Sequence, residues 1–273
     1  MTGRTVSIDP HVHSAGSYDA DVPVTDLLAA ARDAGLDAVA VTDHDAIEHS
    51  LRAVELAPEY GLLAIPGVEV STAAGHLLAV GVEECPAPGR PLVETVETVR
   101  AAGGVAVVAH PFQVLRHGIR RRRIGYADAI EVFNALTITG VQNRRAQRFA
   151  AARGYPMLGG SDAHAAAMVG RTYTEVDVDA DASDPTELDP ASVLDAIRDG
   201  ATVVEGERTP IGHYVRKFTT NVEYRTGAAI ETGVAEVRAT ATAAADALAG
   251  FADLGSDGGV AGPPDGFEDV AAD

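Results

Sequence analysis

The chain has 273 residues, 46% of them hydrophobic, and a formal net charge of -19 at pH 7. That length can bury a full core in one large α/β domain, or in one domain with a tail. One cysteine, Cys85, excludes a disulfide framework and a cysteine-based zinc site and fits a reducing cytosol, so a cytoplasmic location is expected.

Apolar runs of strand length alternate with helix-period segments from residue 4 to about 205. Strands are predicted at 5–9, 38–42, 62–70, 76–82, 104–109, 128–133 and 156–160. Helices are predicted at 24–34, 46–60, 91–102, 137–153 and 190–199, where alanine, leucine and charge recur at helical spacing. Thr25 and Asp26 are candidate caps for the first helix, and Gly35 follows its end. Strands alternating with helices imply βαβ units and a parallel sheet. Several strands are apolar throughout, as expected where both faces are covered. The stretch 177–190 is rich in Asp, Ser and Pro and reads as an acidic loop. From about 226 the chain is mostly Ala, Thr, Gly and Asp, and 251–273 is expected to be disordered.

Four apolar runs end in histidine or aspartate. The first runs into His11-Val12-His13, the second into Asp43-His44-Asp45, the third into His110-Pro111 and the fourth into Ser161-Asp162-Ala163-His164. Side chains two apart on a strand point the same way, so His11 and His13 share a face, as do Asp162 and His164. Glu69 ends a further strand and His76 begins the next. Ligands at the ends of successive strands are how a parallel barrel builds an active site. An open sheet gathers them only at its switch point.

The candidate ligands are His11, His13, Asp19, His44, Glu69, His76, His110, Asp162 and His164. Nitrogen and oxygen donors of this kind suit zinc, manganese or iron. Nine of them, with one bridging carboxylate, would serve two to three divalent ions. Clustered ions suit phosphate ester hydrolysis.

These motifs in this order resemble the PHP (polymerase and histidinol phosphatase) superfamily over residues 5 to about 205. The resemblance implies a distorted (β/α)7 TIM-like barrel over 1–205, a PHP-associated extension over 206–225 and a weakly structured acidic tail over 226–273. It implies a trinuclear site that hydrolyses phosphate esters. His11, His13, Glu69 and Asp162 would hold one ion. Glu69, His76 and His110 would hold a second, and Asp19, His44 and His164 a third. Asp19 is favoured over Asp21 because it closes a family-like HSxxSxD run.

Asp43, Glu69 and Asp162 are the carboxylates expected at the chemistry, with Asp9 and Asp43 placed to orient imidazoles. Ile130-Glu131-Val132-Phe133-Asn134 resembles a family strand, so Glu131 and Asn134 are expected to line the pocket. Arg120 and Arg121, in a run that continues to Arg123, are expected to clamp phosphate. His49, His117 and His213 are not expected to be ligands.

The expected partner is a small phosphorylated metabolite, nucleotide or short oligonucleotide. Histidinol phosphate is an alternative substrate, and a silent PHP binding module is an alternative role. Amidohydrolase barrels also begin with HxH, but they commonly use a bridging lysine, and Lys217 is the only lysine here. Acidity with so little lysine is expected of a halophilic protein. It argues against a broad nucleic-acid-binding face, Arg120–Arg123 being the local exception. No basic segment followed by an apolar stretch opens the chain, and no run of about 18 apolar residues exists, so neither a signal peptide nor a membrane span is expected.

Overall fold

The computed structural model describes residues 3–113, 117–137 and 139–210. The PHP-associated extension expected at 206–225 falls outside these after residue 210, and so does the whole tail. The described chain is α/β. Strand β1 (Arg4–Val12) is followed by α1 (Val24–Asp33), β2 (Ala38–Val41), α2 (Glu48–Leu56), β3 (Leu63–Ala64), β4 (Gly67–Thr72) and β5 (Gly75–Val80). Then come α3 (Leu92–Ala101), β6 (Val105–Val108), β7 (Ala129–Asn134), α4 (Val141–Ala151), β8 (Met157–Gly160), β9 (Thr172–Val178), α5 (Pro190–Arg198) and β10 (Thr202–Gly206).

The ladders form two five-stranded sheets, β10-β9-β1-β2-β3 and β4-β5-β6-β7-β8. This corrects the expected all-parallel seven-stranded barrel: both sheets are mixed, and neither closes. The reason is local. Only Ala73 and Ala74 separate β4 from β5, which is too short for a crossover helix, so the two strands pair antiparallel. β9 returns antiparallel beside β1, and β10 antiparallel beside β9. Isolated parallel bridges, Val12 to Ala163 and His44 to Glu69, link the sheets where the candidate ligands lie.

Prolines set two further departures. Pro66 divides the expected strand 62–70 into β3 and β4, since proline removes a ladder donor. Pro10 lies within the register shift between Asp9 and Val12, where β1 meets β2. The expected caps Thr25 and Asp26 fall inside α1, whose cap residue is Pro23 with no side-chain bond. Gly35 does end that helix, at φ 77°.

Apolar side chains of both sheets, including Val6, Ile8, Ala40, Leu78, Val107, Leu158 and Val176, meet in one buried cluster. Val193, Leu194 and Ile197 of α5 belong to it. Helices α1 and α2 cover the first sheet through Leu27, Leu28 and Ala53. Helices α3 and α4 cover the second through Val96, Val99 and Phe149. Leu78 is fully buried, so its truncation to alanine removes about 2–5 kcal/mol of stability. Close approach at β8 depends on Gly159 and Gly160: a Cβ on Gly160 would sit 2.7 Å from His11 Cβ, and one on Gly159 2.5 Å from Val204 Cγ1.

Candidate metal centre

The strand ends bring all nine expected ligands into one buried cluster. Glu69, on β4, lies at its centre. Its Oε1 is 2.9 Å from His76 Nδ1 and 2.9 Å from His110 Nε2. Its Oε2 is 3.2 Å from both His11 Nε2 and His13 Nε2, and 3.3 Å from His44 Nδ1. One carboxylate thus faces two separate histidine groups with its two oxygens. Asp162 Oδ1 stands 3.4 Å from His13 Nε2 and 3.7 Å from His11 Nε2. Asp19 Oδ2 stands 3.0 Å from His164 Nε2 and 3.6 Å from His44 Nε2. Asp21 is exposed and joins none of the candidate metal-binding groups found among the described residues.

These spacings suit a metal. Two ligand atoms about 2.1 Å from zinc at the tetrahedral angle lie about 3.4 Å apart. His44 Nδ1 is buried without a hydrogen bond, 3.3 Å from Glu69 Oε2, and His44, Glu69 and His76 together form one of the candidate metal groups. Charge points the same way, because buried carboxylates need positive partners. Burial works hardest against protonating His11, yet Asp162, Glu131 and Glu69 hold its pKa well above the usual imidazole range. Burial opposes the charged form of His13 as well, but bonds to Asp162 and Glu69 carry it up to about 9. Burial favours the neutral form of Glu69, but His44, His76 and His11 hold it well below the usual carboxylate range. Burial lowers His44 despite Glu69 and Asp19. Protons on imidazole meet the charge demand that a divalent cation would otherwise meet.

A second layer fixes the imidazoles. Glu131 Oε1 lies 2.9 Å from His11 Nδ1, which aims Nε2 at Glu69. Its Oε2 accepts from the His110 backbone N–H at 2.6 Å. Asn134 Nδ2 donates to Glu131 and, at 2.9 Å, to Asp162 Oδ2. His164 Nδ1 donates to the Asp162 carbonyl at 2.8 Å. Glu131 and Asn134 are fully buried behind the ligands. This corrects their expected place in the pocket lining: β7 turns both side chains toward His11 and Asp162 instead.

Asp43 is also corrected as an orienter of imidazole. Its carboxylate accepts from Ser14 N at 2.6 Å and from Ser14 Oγ at 2.5 Å, and His49 Nδ1 lies 2.8 Å from the same hydroxyl. Ser14 follows His13 and Asp43 precedes His44, so this pair ties together two ligand-bearing strand ends. Asp9 likewise accepts backbone N–H groups from Ser161 and Gly170 rather than an imidazole. Burial raises its pKa to about 6. His110 and Asp162 hold φ of 27° and 52°, a region that residues other than glycine seldom adopt.

Sequence assigned no role to Ser14, Ser17 or Tyr18, and it named His49 only as a histidine outside the ligand set. Ser17 Oγ donates to Asp19 at 2.9 Å. Tyr18 stacks on His44 with ring centroids 4.8 Å apart. Ser14, Ser17 and Tyr18 do lie inside the HSxxSxD run, which was the available signal. A cavity of about 910 Å³ opens beside the cluster, lined by Tyr18, His76, His117 and Arg120–Arg123 among others. Arg120 and Arg121 are thus among the residues of its wall. His49 and His117 belong to none of the candidate metal groups, and His213 lies outside the described residues. Among those residues no helix is long and apolar enough to cross a membrane.

Comparison with known proteins matches the geometry. An uncharacterized protein of Methanocaldococcus jannaschii is 30% identical over 118 residues, 43% of this chain and 69% of that protein. A two-domain protein of Bacteroides vulgatus, described as containing a predicted PHP-like metal-dependent phosphoesterase, shares the fold with a TM-score of 0.58 at 21% identity. The match covers 75% of this chain and 66% of that one. The lesion-specific endonuclease of Pyrococcus furiosus shares it with a TM-score of 0.52 at 17% identity, over 74% of this chain and 58% of that one. This chain thus spans less than two thirds of both solved structures. The PHP domain model matches residues 9–138 and the PHP-associated model residues 140–202. The second match lies inside the span that sequence assigned to the barrel. Together the two cover most of the chain, which belongs to the PHP family.

Proposed function

We propose that the chain is a metal-dependent phosphoesterase that hydrolyses a phosphate ester of a small metabolite or nucleotide at a centre of two to three divalent ions. The observation that carries this reading is Glu69, whose two oxygens face different histidine groups, as a bridging ligand does. His11, His13 and Asp162 would share one ion with Glu69. His76 and His110 would share a second, and Asp19, His44 and His164 would hold a third. When bound, such ions supply Lewis acidity toward phosphate oxygens and lower the pKa of water.

The chain's own groups do the rest. Glu131 holds the His11 proton on Nδ1 and leaves Nε2 as a donor atom. Asn134 orients Asp162, and the Ser14–Asp43 pair holds the strand ends in register. Arg120 and Arg121, exposed at the cavity wall, would bind the substrate's phosphate oxygens and orient the ester toward the cluster.

Hydrolysis of an aryl phosphate with added manganese or zinc tests the reading. Activity that chelator removes and metal restores supports it. A metal-loaded protein inactive on a panel of aryl phosphates, histidinol phosphate, nucleotides and short RNA would point to the binding module instead.

A further inference from the structure

Sequence showed one arginine run. The structure links the segment that carries it to further arginines on α4. Between residues 119 and 153 lie eight arginines: Arg120–Arg123 at the cavity wall, Arg144, Arg145 and Arg148 on α4, and Arg153 just beyond it. All eight are exposed, and none has an ion-pair partner among the described residues. The same stretch holds two acids, Asp128 and Glu131. Asp128 is paired with Arg100 and Glu131 is buried against His11, so neither neutralises the arginines. A chain of net charge -19 thus carries one segment in which eight exposed arginines accompany two acids engaged elsewhere.

The two arginine groups are joined through Phe112. Arg145 Cζ lies 5.2 Å from the Phe112 ring centroid. Phe112 N donates to the carbonyl of Ile119, the residue before Arg120. Arg144 and Arg148 are one turn apart on α4 and so share a face. Exposed aromatic rings accompany the charge: Tyr126, 66% exposed, follows the arginine run, and Tyr18, 43% exposed, stands at the cavity. Unpaired arginines interleaved with exposed tyrosines are the surface that single-stranded nucleic acid recognises, by phosphate contact and base stacking.

We propose that this arginine surface, from α4 to Arg120–Arg123, is a track for the backbone of a single-stranded nucleic acid, whose end enters the cavity beside the metal centre. Only the fate of the bound strand rests on the phosphoesterase reading; binding does not. The acidic remainder of the surface confines the strand to this face.

The test uses the full chain and a fluorescein-labelled, phosphorothioate-linked 12-nucleotide oligothymidylate, which resists hydrolysis. Anisotropy titrations are run at several salt concentrations. Salt-dependent binding is expected, and R144E/R148E, two exposed positions that touch no ring, should weaken it at least about tenfold. The slope of log K against log salt should become shallower by about 1.4, from two contacts at about 0.7 each. Y126A should weaken binding about fivefold or more and leave the slope unchanged. Absence of binding at low salt, or an unaltered slope in R144E/R148E, overturns the proposal. So does equal affinity for a duplex of the same length, or binding to phosphatidylserine vesicles without binding to the oligonucleotide. Hydrolysis of the panel of aryl phosphates, histidinol phosphate, nucleotides and short RNA is scored separately: its absence defeats the phosphoesterase reading and leaves the binding result standing.

Discussion

The interior cluster and the arginine rim sit side by side and obey opposite rules. Inside, nine candidate ligands are buried, and Glu131, Asn134 and Ser14 leave them little freedom. Outside, Arg120–Arg123 are exposed, and the Arg123 side chain reaches the Ala73 carbonyl at 3.4 Å. A buried charge without its partner costs several kcal/mol, whereas an exposed one costs little. The cluster therefore specifies one geometry and one chemistry. The rim is free to select the molecule delivered to it.

Substitutions sharpen this contrast in descending order of effect. Asp162→Asn should lower aryl phosphate turnover by about 10³-fold, since an ion's transition-state stabilisation is worth several kcal/mol; steady-state assays check this, with thermal unfolding to show the fold is retained. Glu131→Gln comes next. An amide would set a donor against the His11 or His110 N–H, and metal affinity should fall about 10–100-fold by competition titration. Ser14→Ala leaves the buried Asp43 carboxylate short of its hydroxyl partner and should remove about 1–3 kcal/mol of stability in denaturant unfolding. Its metal loss should fall on the ions that His13 and His44 would hold, the residues next to Ser14 and Asp43. The smallest effect belongs to the rim: Arg121→Ala should raise KM for a small phosphate ester about tenfold or less and leave metal content unchanged. A large loss of metal in Arg121→Ala, or none in Glu131→Gln, would erase the division between the two regions.

The ligands were legible in sequence because each sits at the end of an apolar run, where a motif of two to four residues carries both strand and donor. Their supports were not. Ser14 meets Asp43 only through the parallel register of β1 with β2. Glu131 was expected to line the pocket from its place in a family-like strand, and a strand motif does not say which side lies behind the ligands. Strands β9 and β10 were missed for a related reason. Thr172–Val178 alternates polar and apolar residues at the edge of the acidic stretch, and its pairing with β1 spans more than 160 residues of chain. The parallel sheet was inferred from the alternation of strands and helices, which does not show that the link between β4 and β5 is too short for a crossover.

The central claim is a multinuclear centre bridged by Glu69. Elemental analysis of the purified, metal-saturated protein tests it most directly. The account predicts two to three divalent ions per chain, falling in Glu69→Gln; at most one ion per chain, unchanged by that substitution, would contradict it.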